Sequence, residues 1–115
     1  MDEKRVLIIK TDRNMVLSRL LACSPGSFEG AALYRVMLAL NPEYTKTFCV
    51  RDLYYLERRG LIERLSPISG RVAPECEWKE ARWRVTPRGD EVANHLVNDP
   101  ALDIESYLSR SEAMD

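Results

Sequence analysis

The sequence contains few of the residues that bind metals or carry out catalysis. It has one histidine, His95, and three cysteines, Cys23, Cys49 and Cys76, none of which belongs to a Cys-x-x-Cys pair. Because a structural zinc site takes four ligands at close spacings, we expect no metal and reduced thiols, with Cys23 and Cys49 on apolar helix faces. Glycine-rich phosphate loops and nucleophile motifs are also missing from the sequence. We therefore expect no cofactor and no enzymatic activity.

Long hydrophobic runs are missing as well. The longest, Val6-Leu7-Ile8-Ile9, is too short for a membrane span or for the core of a secretory signal, so we expect a cytoplasmic protein without a membrane partner. A chain of 115 residues with 45% hydrophobic and 30% charged residues fits one globular domain. We place that domain at residues 1–99, followed by an acidic tail at 100–115 in which residues 103–108 are a candidate short helix.

Charge is distributed unevenly along the chain. The net charge of the whole chain is only −1. Residues 44–89, however, contain ten Lys or Arg residues against six acids, whereas residues 90–115 contain seven acids and Arg110. The middle of the chain is therefore basic and its end is acidic, a distribution that favours an acidic partner for the middle segment.

Two amphipathic helices are predicted in the first third of the chain. Asp12 is a suitable N-cap for the first helix, and residues 6–10 form either a short strand or an extension of that helix. Ser24-Pro25-Gly26 ends the first helix and Ser27 caps the second, which closes at Asn41-Pro42. The buried stripes of these helices are Val16, Leu17, Leu20 and Leu21 in the first, and Leu33, Val36, Met37 and Leu40 in the second.

The remaining elements are a third helix, a hairpin and a fourth helix. Thr47 caps a helix at residues 47–59, and Gly60 is its left-handed C′ residue. Strands follow at 61–65 and 81–85, joined by a loop at 66–79. Thr86-Pro87 begins the fourth helix, which ends at residues 98–100. This order predicts an α+β winged helix-turn-helix, with a three-helix core, a two-stranded wing and a C-terminal helix.

The third helix has two different faces. Its inward face contains Cys49, Leu53 and Leu56. Its outward face contains Thr47, Arg51, Tyr54, Tyr55 and Arg58, with Arg59 at the edge and with Asp52 and Glu57 on the flanks. Arginine can bond guanine in the major groove, and tyrosine and threonine hydroxyls can reach phosphates or base edges. The alternative is that Tyr54 or Tyr55 mainly packs against the protein itself.

The hairpin shows a similar division. Ala81, Trp83 and Val85 alternate with Arg82 and Arg84, which predicts a core face and a basic face. Arg71 lies near the tip of the loop, where an arginine can enter the minor groove of DNA. The alternative is a solvated hairpin in which Arg82 and Arg84 pair with Glu75, Glu77 or Glu80.

Two passages resemble winged-helix transcriptional regulators of prokaryotes. "VRDLYYLERRGLIERL", residues 50–65, resembles the passage from recognition helix to strand in PadR-like and MarR-like repressors, and "RWRVTPRGDEVA", residues 82–93, is similar to the passage after their wing. The matching positions of the first passage are Leu53, Leu56, Glu57, Gly60, Leu61 and Ile62. The layout of residues 12–99 also resembles small winged-helix proteins of Mu-like phages and prophages. This chain departs from the pattern in its longer connection at 41–46, its long proline-bearing wing, and a tail that lacks the long dimerising helix of PadR-like proteins.

These observations lead to two functional hypotheses. The resemblance implies a phage or bacterial transcription regulator that binds double-stranded DNA, which we expect to act as a homodimer. Residues 47–59 would lie in the major groove, and the wing, residues 66–80, would contact the backbone or the minor groove. The alternative is a winged-helix protein–protein interaction module that docks an acidic partner, because the chain as a whole is negative and such folds also bind proteins.

Overall fold

Four helices and three short strands make up the part of the chain that the structure, a computed structural model, describes: residues 3–94. The helices are α1 (Glu3–Cys23), α2 (Gly30–Leu40), α3 (Lys46–Arg58) and α4 (Pro87–Ala93). The strands are β1 (Phe28–Glu29), β2 (Ile62–Leu65) and β3 (Arg82–Val85). The fold is therefore α+β. His95, the predicted helix end at 98–100, the candidate helix at 103–108 and the acidic tail lie outside the described residues.

The first helix is longer than the capping signal predicts. Residues 6–10 are helical, and α1 begins at Glu3, so the prediction that Asp12 is an N-cap is wrong. Asp12 lies in the middle of α1 and is buried, because its carboxylate faces α3 and contacts Arg51. The helix ends at Cys23, immediately before Ser24-Pro25-Gly26, as the sequence predicts. No helix within residues 3–94 is long and apolar enough to cross a membrane.

The start of α2 also differs from the prediction. Residues 28 and 29 form β1, and the N-cap position of α2 is Glu29 rather than Ser27. Strand pairing, and not a side-chain cap, fixes this helix start, because Glu29 makes no capping hydrogen bond and the Gly30 N–H donates to the Ala81 carbonyl at 3.0 Å. Leu33 and Met37 are fully buried, but Leu40, predicted to be buried, is 46% exposed.

The third helix begins two residues earlier than predicted. Thr45, not Thr47, is the N-cap, and its side-chain oxygen accepts a hydrogen bond from the Phe48 N–H at 3.2 Å. Either threonine can cap a helix, but only Thr45 has the extended backbone that an N-cap requires. Gly60 follows the helix with φ 74°, and the Leu61 N–H donates to the Leu56 carbonyl at 3.0 Å. The predicted left-handed helix end is therefore confirmed.

A three-stranded antiparallel sheet lies beside the helices in the order β1-β3-β2. Its central residue, Trp83, is fully buried, and its indole N–H donates to the Trp78 carbonyl at 3.0 Å. The predicted inward positions are confirmed, because Trp83 and Val85 of β3 are buried, and so is Ala81 just before the strand. The predicted start of α4 is also confirmed, since the Thr86 side chain accepts a hydrogen bond from Gly89 and Pro87 is the first helical residue.

Candidate functional site

The two faces of α3 are separated as the sequence predicts. Cys49, Leu53 and Leu56 are completely buried against the core. Burial in these apolar surroundings raises the pKa of the Cys49 thiol to about 12. On the opposite side, Thr47 and Arg58 are exposed, and Tyr54 is 37% exposed. The helix therefore presents a polar and basic surface while its apolar side chains hold it in place.

Arg51 does not point freely outward from this surface. Its Nη2 lies 3.1 Å from Oδ2 of Asp12 on α1, and its Nε lies 2.7 Å from Oδ1 of Asp52. Asp52, predicted to lie on the flank of the helix, is in fact fully buried. A buried carboxylate needs charged or hydrogen-bonding partners, and the neighbouring arginine supplies them. The prediction of an outward Arg51 is thus corrected, since its guanidinium bridges two helices.

Around Asp52 lies a group of interacting side chains, which we call the α1–α3 polar cluster. It consists of Asp12 and Arg13 of α1, Arg51 and Asp52 of α3, and Tyr44 from the preceding connection. The Tyr44 hydroxyl donates to Oδ2 of Asp52 at 2.8 Å, and Nε of Arg13 lies 3.8 Å from Oδ1. Burial, together with the charge of Asp52, raises the pKa of both Tyr44 and Asp12. The cluster therefore links α3 to α1.

Both tyrosines of α3 carry a guanidinium over the ring. Arg13 lies 3.7 Å above the centroid of Tyr55, and Arg64 of β2 lies 4.8 Å from that of Tyr54. Arg64 also forms a two-point ion pair with Glu57, in which its Nη2 and Nε are 2.7 and 3.1 Å from the carboxylate oxygens. The flanking Glu57 is therefore neutralised by a cation from β2. The two tyrosines pack against arginines and are partly exposed at the same time.

Four of the predicted site residues are brought together in one shallow hollow. This α3 hollow has a volume of about 300 Å³ and is lined by Arg13, Val50, Arg51, Tyr54, Tyr55, Glu57 and Arg58. A second hollow of about 340 Å³, lined by Lys46, Thr47, Val50, Trp78 and Lys79, lies at the beginning of the same helix. Sequence reasoning missed Arg13 and Lys79, because only the folded chain places α1 and the loop between β2 and β3 beside α3. It missed Lys46 because the predicted helix began at Thr47, one residue too late to include it.

The two arginines of β3 have partners within the protein. Arg84 forms an ion pair with Glu63, which is its direct neighbour across β2 and β3. Arg82 donates from Nε to the Ser27 hydroxyl at 2.7 Å and from Nη2 to the Ser27 carbonyl at 2.8 Å. The expected alternative, pairing with Glu75, Glu77 or Glu80, is therefore wrong in its partners. The strand register and the pairing of β1 with β3 decide which groups these arginines meet.

The other predicted contact residues lie at exposed positions. Arg58 and Arg59 are exposed at the end of α3, and Arg71 is exposed in the loop between β2 and β3.

Within residues 3–94, no group of three His, Cys, Asp or Glu side chains is arranged to hold a metal ion. Comparisons of the chain with protein-family models, with curated proteins and with solved structures found no match.

Proposed function

We propose that this chain is a winged helix-turn-helix protein that binds double-stranded DNA sequence-specifically, with α3 in the major groove. The order of elements supports this proposal: three helices precede a hairpin, and α3 occupies the position of a recognition helix. The short strand β1, paired with β3, is compatible with the same architecture. In this proposal the fold exposes a positively charged face of α3. The chemistry of that face distinguishes DNA from other partners.

The observation that carries the proposal is that both carboxylates of α3 are engaged by other groups of the protein. Asp52 is fully buried in the α1–α3 polar cluster, and Glu57 is paired on both oxygens by Arg64. The exposed groups that remain on the helix are cationic, hydroxylic or aromatic, among them Lys46, Thr47, Tyr54 and Arg58. A phosphate backbone repels carboxylates and attracts cations, so this helix can approach a duplex closely.

Each exposed group has a role that suits its chemistry. Arg58 can bond guanine O6 and N7 in the major groove, while Thr47 and the Tyr54 hydroxyl contact phosphates or base edges. Lys46 and Lys79, which line the second hollow, neutralise phosphates. We assign Arg51 and Tyr55 to positioning, because Arg51 bridges Asp12 and Asp52 and Tyr55 stacks on Arg13. Arg71 contacts the backbone or the minor groove from the wing.

The biological role that we propose is transcription regulation in a phage, prophage or bacterium, by a homodimer. This role rests on the resemblance of residues 50–65 and 82–93 to winged-helix repressors. A two-fold dimer on DNA would place its two α3 helices about 34 Å apart, one turn of the double helix. Small-angle X-ray scattering of the chain with its selected duplex measures the stoichiometry, and one chain per duplex would contradict the dimer.

Selection from a randomised duplex pool at about 0.1 M salt tests the proposed DNA binding, since such binding depends strongly on salt. We expect one enriched sequence, and Arg58→Ala should weaken binding to it by about 1–3 kcal/mol and relax the preference at one base pair. Arg19→Ala is a matched control, because it removes an exposed arginine of α1 that lines neither hollow. An unenriched pool, or equal effects of the two substitutions, would contradict the proposal.

A protein-docking role is the second candidate, and the exposed aromatic side chains of α3 favour it. Phe48 is 40% exposed and lies under the guanidinium of Arg51, and Tyr54 is 37% exposed. Aromatic and arginine side chains also dominate protein–protein hot spots. If an acidic protein binds this face and DNA duplexes do not compete with it, the second function holds in place of the first.

A further inference from the structure

The tip of the wing loop displays an isoleucine that the fold does not use. Ile68 is 97% exposed, more than any other large hydrophobic residue of the described chain, and Val72 nearby is 55% exposed. An aliphatic side chain stabilises a fold when its surface is removed from water. The Ile68 side chain stays in water, so it contributes nothing to the stability of this fold. A side chain so placed can still bury its surface against a partner.

The turn that carries Ile68 is held by a set of hydrogen bonds. The hydroxyl of Ser66 accepts from the N–H groups of Ile68 and Ser69 at 3.2 and 3.3 Å. The Ser66 N–H donates to the Arg71 carbonyl at 2.8 Å, and the Gly70 N–H donates to the Ser66 carbonyl at 2.9 Å. Gly70 takes φ 72°, which closes the turn. Ile68 therefore stands at the apex of a defined turn.

The surroundings of the apex favour a nucleic acid as its partner. Residues 66–74 contain Arg71 and no acidic residue. Arg71 is exposed, and its carbonyl accepts from the Ser66 N–H, so this cation belongs to the same turn as Ile68. Proteins that bend DNA combine these two groups in the minor groove, where a cation meets the negative potential and an apolar wedge partly unstacks a base step.

The base of the wing is attached to α3. Arg64 on β2 lies 4.8 Å from the ring of Tyr54 on α3 and forms a two-point ion pair with Glu57 of the same helix. The turn that contains Ile68 begins at Ser66, directly after the end of β2 at Leu65. With α3 in the major groove, the wing would therefore hold Ile68 beside the same duplex.

From this geometry we infer that Ile68 is a wedge residue, which inserts into the minor groove at a flexible base step and bends the duplex that α3 binds. The inference rests on the proposed DNA binding and adds to it a mode of recognition. It predicts a preference for a TA step at the position of the wing, because pyrimidine–purine steps are the easiest to unstack. Arg71 provides the accompanying phosphate or minor-groove contact.

Energy transfer between dyes at the two ends of the selected duplex measures the bend that the full chain produces. We expect the wild-type chain to bend the duplex by roughly 20–90°. Ile68→Ser should abolish the bend and weaken binding by about tenfold, corresponding to the lost burial of one aliphatic side chain. Ile68→Met, which keeps an apolar wedge, should retain the bend. Leu40→Ser is the matched control, since it removes an exposed aliphatic group from α2.

The possible outcomes separate the wedge from DNA binding itself. A wild-type complex that is straight, or an Ile68→Ser complex that is bent as much as the wild type, overturns the wedge and leaves the proposed function intact. Replacing the TA step at the position of the wing with a GC step should reduce the bend, and an unchanged bend overturns the inference as well. If the wild-type chain enriches and binds no duplex, the proposed function fails, and the wedge fails with it.

Discussion

Replacement of Asp52 is the most direct test of how α3 is held. Asp52 is fully buried, and its carboxylate meets the Tyr44 hydroxyl at 2.8 Å and Nε of Arg51 at 2.7 Å. Asp52→Ala removes the shared acceptor and leaves a buried hydroxyl and a partly buried guanidinium without it. Removing one partner of a buried ion pair costs about 3–5 kcal/mol, a large part of the roughly 5–15 kcal/mol that stabilise a domain.

Smaller substitutions divide this cost between the hydrogen bond and the ion pair. Tyr44→Phe keeps the ring in its buried position but removes the hydroxyl donor. We expect it to cost about 1.5–3 kcal/mol, as for hydrogen bonds to charged groups. The double substitution should cost less than the sum of the two single ones, because both single substitutions remove the same hydrogen bond.

Urea unfolding followed by tryptophan fluorescence measures these free energies, since Trp78 and Trp83 are both buried in the core. Glu43→Ala is the control, because it removes an exposed carboxylate just before the same helix. The midpoint should fall strongly for Asp52→Ala and hardly at all for Glu43→Ala, with similar urea dependence of the free energy. If the two variants unfold at the same urea concentration, the α1–α3 polar cluster does not hold α3, and the reasoning is refuted.

Two further predictions concern single positions. Gly60→Ala should destabilise the chain by about 1–2 kcal/mol in the same urea assay, because Gly60 has φ 74° and a Cβ is disfavoured there. An unchanged urea midpoint would contradict this prediction and show that the turn relaxes. Burial raises the pKa of Asp12 above 3.8, so the folded chain binds a proton more readily than the unfolded chain does. The contribution of Asp12 to stability is therefore complete at low pH and declines as the pH rises through its folded-state pKa. The stability difference between wild type and Asp12→Asn should decline over that range, and a difference that grows with pH contradicts the assignment.

Several features of the fold could be predicted from the sequence because they depend on neighbouring residues. The strict alternation of residues 81–85 indicates which side chains of β3 face the core, and Ala81, Trp83 and Val85 are indeed buried. The spacing of Cys49, Leu53 and Leu56 similarly predicts the buried face of α3. Gly60 and Thr86-Pro87 mark a helix end and a helix start through backbone preferences that act locally.

The candidate site was only partly predictable from the sequence. The periodicity of α3 brings Arg51, Tyr54, Tyr55 and Arg58 to one side, and all four line the α3 hollow. It does not show that Arg51 is engaged by Asp12, which is 39 positions away in the chain. Nor does it show Arg64 on Tyr54, because helix and strand meet only through packing. DNA binding and the regulatory role of the chain remain proposals.

What the sequence by itself determined are the elements whose signals are local: the amphipathic faces, the helix end at Gly60 and the alternating strand β3. Only the tertiary structure decided which partners the charged residues have and where the shortest strand forms. Strand β1 has two residues and exists only because β3 pairs with it. Asp12 has the chemistry of a helix cap, yet it lies inside α1 and binds Arg51. The physical reason is that a charge is stabilised by whichever partner the fold brings within reach, and sequence spacing does not contain that distance.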